Sequence, residues 1–143
     1  LSHDWKFFDA LVHCPLIVWG QGSGVCHNLV GGVDISPTIV NLFGRDPEPA
    51  FVGQSILPTD SFEAKPVFGE AIGKLKHKVQ PTDKPAMFAH DGRYKVTYRI
   101  EDETWEMYDT EADPREKNNI IDSSDKADDM KALLKPRIER DLK

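Results

Sequence analysis

Apolar positions along this chain follow three rhythms, and each predicts a different kind of element. Pro15 to Trp19 is an unbroken apolar run closed by Gly20. A short run without alternation predicts a strand covered on both faces. Ile39, Val40, Leu42 and Phe43 then recur at helical spacing. Ser36 is placed to act as N-cap, Pro37 to occupy the first helical position, and Gly44 to end the helix. Asp34 is expected to cap the helix start or to bond loop amides. A strand followed by a helix is the order of an α/β layer. Beyond Gly44 the pattern changes. Arg45 to Pro49 is rich in proline and charge, and reads as a linker. Phe51 to Pro58 reads as a compact loop with a short helical turn.

From Pro66 the apolar residues fall into short runs suited to antiparallel strands: 66–71, 86–90, 94–100 and 105–108. Asp91-Gly92 between the second and third is a two-residue hairpin signal. Gly73 to Pro85 reads as a long charged loop. Residues 125–143 form an amphipathic helix with Met130, Leu133 and Leu134 on one side, which Pro136 should kink or break. The expected fold class is α+β. Residues 1–44 are a strand-helix remnant of an α/β layer. Residues 45–143 are a four-stranded antiparallel sheet with a C-terminal helix packed on it.

Composition narrows the function. The 143 residues can bury one substantial core, and 39% hydrophobic with 29% charged content is ordinary for a globular protein. A net charge of -6 offers no basic face to displace counterions from phosphates, which argues against nucleic acid. The one basic cluster, Lys74 to Lys78, reads as a solvated loop. No apolar run approaches the roughly 20 residues of a membrane helix. Cys14 and Cys26 do not make a disulfide framework. Cys14 is expected as a buried free thiol, and a Cys14–Cys26 bridge needs the intervening loop to fold back. Trp19, Trp105, Tyr94, Tyr98 and Phe88 are expected in the core or half buried in the sheet. Asp109, Glu111 and Asp113 are expected to bond backbone amides and Arg115 or Lys117. No partner is evident for His13 or His27.

Five segments, taken in order, carry a resemblance. Phe8 to Gly20 is similar to a "Y-E-x-x-x-R-V-P-L-I-I" strand, and Leu29 to Gly44 to an "L-V-x-x-V-D-I-x-P-T-I-L-x-L-x-G" helix. Val52 to Pro58 resembles "x-G-x-S-L-L-P", and Asp91 to Lys95 a "D-G-x-Y-K" hairpin. Glu103 to Ile121 resembles "E-L-Y-D-L-x-x-D-P-x-E-x-x-N-L". Together they resemble the C-terminal portion of type I sulfatases, in the alkaline-phosphatase-like hydrolase superfamily. The resemblance implies a parent that hydrolyses a sulfate ester or sulfamate of a small molecule or glycan. It also implies a formylglycine nucleophile and a bound calcium ion, and export from the cytosol is common for the family.

The chain departs from the family where the chemistry lies. Neither cysteine and no serine begins the C/S-x-P-x-R motif, and the family's metal-binding aspartate pairs are missing. No metal ligand is therefore expected within the chain. The resemblance places a histidine and a lysine that contact the sulfate shortly before the P-L-I strand, which makes His3 and Lys6 the catalytic candidates. Lys6 lies closer to Pro15 than the family pattern has it, and His3 closer to Lys6, which implies a deletion or rearrangement. A lysine ammonium suits a sulfate oxygen, and a histidine can protonate a leaving oxygen. The bland alternative makes both surface residues of a frayed terminus. His77 and His90 are candidates for substrate contact from the sheet subdomain. The leading expectation is a sulfatase fragment, inert alone, that completes the fold and one wall of the cleft. The alternatives are a fragment of a related phosphoryl or phosphonate hydrolase, or a non-catalytic module. Such a module would self-associate through the truncated layer, whose Leu16 to Val18 strand would lack neighbours.

Overall fold

The computed structural model describes residues 7–20, 24–71 and 85–141. The chain divides into two compact units, Leu1–Leu16 with Phe68–Lys143, and Ile17–Val67.

The larger unit is built on a four-stranded sheet in the order β1-β2-β3-β4: β1 Val67–Ala71, β2 Ala86–His90, β3 Tyr94–Arg99 and β4 Thr104–Asp109. The β2–β3 and β3–β4 pairs are antiparallel. Gly92 starts the β2–β3 turn at φ +111, and Asp91 Oδ1 accepts the amides of Arg93 and Tyr94 at 2.9 and 2.7 Å. The turn tip is therefore Gly92-Arg93, one residue beyond the expected Asp91-Gly92.

Side chains alternate between faces along each strand, so the register sorts them. Met87, Ala89, Val96 and Met107 share one face, where they form the core with Met130 and Leu134. Met130 and Leu134 come from the C-terminal helix α3, Ala127–Asp141. The helix runs through Pro136, which is exposed; the expected break is absent, at the cost of one backbone hydrogen bond. The opposite face carries Phe88, His90, Lys95, Thr97 and Tyr108. There β2 is buried at all five positions, because the N-terminal segment, including the short helix α1 at Asp9–Val12, lies over this face. Past β4, Asn119 Oδ1 accepts the Met107 amide at 2.9 Å, and the Ile120 amide donates to Met107 O at 2.8 Å. These bonds occupy part of the outer edge of β4.

The smaller unit holds α2, Ile35–Leu42, ended by Gly44 at φ +70. The helix starts before the expected Ser36 cap, and Asp34 anchors it. Its Oδ2 accepts Gly31 N at 2.9 Å and its Oδ1 accepts Gln54 N at 2.9 Å. The Thr38 hydroxyl donates to Asp34 O at 2.6 Å and accepts Ile56 N at 3.1 Å. Asp34 and Thr38 are buried, as are Ile56 and Phe62. The apolar residues that should have packed elsewhere are open: Ile17 is 83% exposed, Trp19 95%, Phe43 81% and Val52 85%. Pro15 to Trp19 forms no strand, contrary to its pattern. A strand covered on both faces needs neighbours, and among the described residues none pairs with it.

Candidate functional site

The N-terminal segment docks on the sheet face opposite α3 through three consecutive residues. The Phe7 ring packs on Phe88 with centroids 4.8 Å apart, and the Phe8 ring meets Tyr108 edge-on at 6.2 Å. Asp9 reaches Lys95. The Lys95 ammonium donates to Phe7 O at 2.8 Å, to Asp9 Oδ1 at 2.5 Å and to Glu116 at 3.0 Å. The Asp9 amide donates to Glu116 Oε1 at 2.5 Å. Lys95 is 1% exposed and the Glu116 side chain 2%. Three donors meet three acceptors, which is what a lysine this deeply buried requires. Glu116 adopts φ +49, a backbone conformation uncommon outside glycine, asparagine and aspartate.

His90 stands beside this cluster as the cross-strand partner of Lys95. It is 7% exposed, and its Nε2 lies 3.1 Å from Thr110 Oγ1. The Thr110 hydroxyl donates to Arg93 O at 2.8 Å, so it accepts from His90, whose Nε2 carries the proton. Burial lowers the His90 pKa, opposed in part by the Asp9 charge and aided by Lys95. Around the turn, Asp109 is held below its usual value mainly by its bond to Arg93 at 2.8 Å. Tyr108 is raised well above the usual phenol range, first by burial and then by Glu106.

Of the four candidates from the sequence, His90 alone can be placed; His3, Lys6 and His77 lie outside the described residues. Among the described residues no three His, Cys, Asp or Glu side chains converge to hold a metal. Asp9 and Glu116 converge, but both are already met by Lys95. Their donor set does not fit a calcium ion, which wants six or more oxygens.

The family model described as "N-sulphoglucosamine sulphohydrolase, C-terminal" matches residues 5–143. The chain belongs to this family. It is 29% identical over 107 residues to an N-acetylglucosamine-6-O-sulfatase of Bacteroides thetaiotaomicron, covering 71% of this chain and 19% of that protein. A solved 2-O GAG sulfatase superposes with a TM-score of 0.66 at 26% identity, over 84% of this chain and 27% of the other. A further structure, in complex with its substrate D-glucosamine-2-N,6-O-disulfate, shares the fold with a TM-score of 0.59 at 24% identity, over 74% and 23% of the two chains. The chain thus spans about a fifth of its curated relative and about a quarter of these structures.

Membership of a sulfatase C-terminal family agrees with the five segments that carried the resemblance. Residue by residue there are corrections. Cys14 is a free thiol but exposed, and Cys26 is also free. Trp19 is open, while Trp105, Tyr94 and Tyr98 are half buried, with the Trp105 ring packed at a tilt against Tyr98, centroids 4.7 Å apart. Asp109 accepts the amides of Glu111 and Ala112 at 3.2 and 3.0 Å, as expected, but its cation is Arg93 instead of Arg115 or Lys117. Asp113 bonds the amides of Lys117 and Asn118, at 2.7 and 2.8 Å, as expected. The sequence reading missed the Lys95–Asp9–Glu116 cluster. Its one signal was a lysine within the otherwise uncharged strand run Tyr94 to Tyr98.

Proposed function

We propose that this chain is the C-terminal part of a sulfatase acting on a sulfated glucosamine unit of a glycan. It completes the fold and one wall of the substrate cleft, and turns over no substrate alone. The carrying observation is the family match over residues 5–143 of a chain that spans 19% of its sulfatase relative. The glucosamine class rests on the names of the family and of that relative. The lack of turnover rests on the sequence, which holds no C/S-x-P-x-R motif and hence no formylglycine precursor. When present elsewhere in the longer protein, formylglycine and calcium supply the nucleophile and the electrostatic stabilisation of the sulfate oxygens.

Within this chain, Lys6 and His3 are the groups proposed to meet the sulfate, by charge and by proton donation respectively. His90 and His77 are proposed to face the sugar. The exposed apolar face around α2 supports the fold-completing role, since a surface of that kind is normally covered by protein.

The test is sulfate release by the longer polypeptide from N-sulfated glucosamine, 6-O-sulfated N-acetylglucosamine and a generic aryl sulfate. Turnover of a glucosamine substrate well above the aryl sulfate supports the reading. Preference for a phosphate or phosphonate ester over all three would overturn it in favour of the related hydrolases.

A further inference from the structure

We infer that Lys95 and Glu116 are positioning residues for the sulfate-contacting segment, an inference that rests on the reading of Lys6 as a sulfate ligand. Lys95 and Glu116 come from β3 and from the loop after β4, and together they grip a segment 86 or more residues earlier in the chain. The grip is on backbone as well as side chain: Phe7 O accepts from Lys95, and Asp9 N donates to Glu116. Phe7 and Phe8 each add an aromatic contact to the same face. Residues 7, 8 and 9 are thus each fixed by a contact of their own, and Lys6 is one peptide bond upstream.

A buried ion cluster is weak evidence for stability, because apolar residues of the same volume often do as well. What such a cluster gives is a defined location. Donors and acceptors must meet at fixed points, whereas two apolar surfaces can slide. The left-handed backbone at Glu116 agrees, since conformations of that kind persist where the surroundings over-determine them. The same corner carries His90, the cross-strand partner of Lys95. The clamp therefore ties the chain next to Lys6 to the end of β2 that carries His90.

The first test uses this chain. Trypsin cuts after Lys6, one bond before the clamp, and after Arg45 in the other unit. In Lys95→Met and Glu116→Gln, cleavage after Lys6 should accelerate several-fold while cleavage after Arg45 keeps its rate. An unchanged ratio would contradict the clamp. The second test uses the longer polypeptide, with Lys6→Ala, each clamp variant and the double variants. Mispositioning by about an ångström lowers kcat by roughly 10- to 100-fold. Because the clamp acts through Lys6, its variants should cost little more in the Lys6→Ala background, and their coupling is read from the double-mutant cycle. Additive losses, or no loss from either clamp variant while Lys6→Ala is impaired, would overturn the positioning role and leave the sulfate reading intact. A neutral Lys6→Ala would overturn the reading beneath it. Glu116→Gln keeps the side-chain shape and serves if Lys95→Met does not fold.

Discussion

Lys95 has a positive charge held where water does not reach, between Asp9 and Glu116. Removing it leaves two carboxylates facing each other without a cation. Breaking a buried pair from one side costs about 3–5 kcal/mol, so Lys95→Met should lower the urea midpoint by a corresponding amount at unchanged slope. His90 gives a pH signature. Burial holds its folded pKa below the ordinary 6.5. The unfolded chain then binds the proton more readily, so the stability contribution is complete above pH 6.5 and is lost as pH falls from there through the folded pKa. His90→Gln should flatten that part of the stability–pH curve, which chemical denaturation at a series of pH values would reveal. None of this was legible locally. Lys95 shares its strand face with Thr97 and opposes Val96, so alternation alone assigns it to the solvent side. The cover on that side comes from residues 7–9, and no local pattern encodes so distant a contact.

At the scale of elements the sequence was far more readable. Each of the four strands lies within a residue of its expected bounds, because each is a short apolar run between turn residues. α3 was visible from Met130 and Leu134, which it does bury. The failure was Pro15 to Trp19, whose pattern describes a strand with neighbours that the described residues do not supply. Two element contacts invite substitution. Gly53 lies against the backbone before α2, where an added Cβ would stand 2.2 Å from Val33 O. Backbone cannot swing aside as a side chain can, so Gly53→Ala should destabilise the Ile17–Val67 unit by at least ~1–3 kcal/mol. Hydrogen exchange at the α2 amides would measure it. Trp105→Ala removes a half-buried ring packed at a tilt against Tyr98. Its cost should fall below the ~3–5 kcal/mol of a fully buried tryptophan, as read from the thermal midpoint.

For the whole molecule, the distribution of apolar surface carries the account. The twelve large apolar residues most open to solvent among those described all lie between Leu11 and Val52. Ile35 and Ile39 stand one helical turn apart on α2, and Phe43, the residue that caps its C-terminus, follows at the same spacing; all three are exposed. A charge of -6 favours solubility but does not cover the stripe. Alone at raised concentration it should self-associate, and Phe43→Asp should shift sedimentation toward monomer with the far-UV spectrum unchanged. The central claim is that this chain completes a sulfatase without being one. The most direct measurement is sulfate release from a 6-O-sulfated N-acetylglucosamine by this chain, by the remainder of the longer polypeptide, and by the two combined. The account predicts no turnover from either part and turnover from the combination. Sulfate release by this chain alone, above a mock preparation, would contradict it.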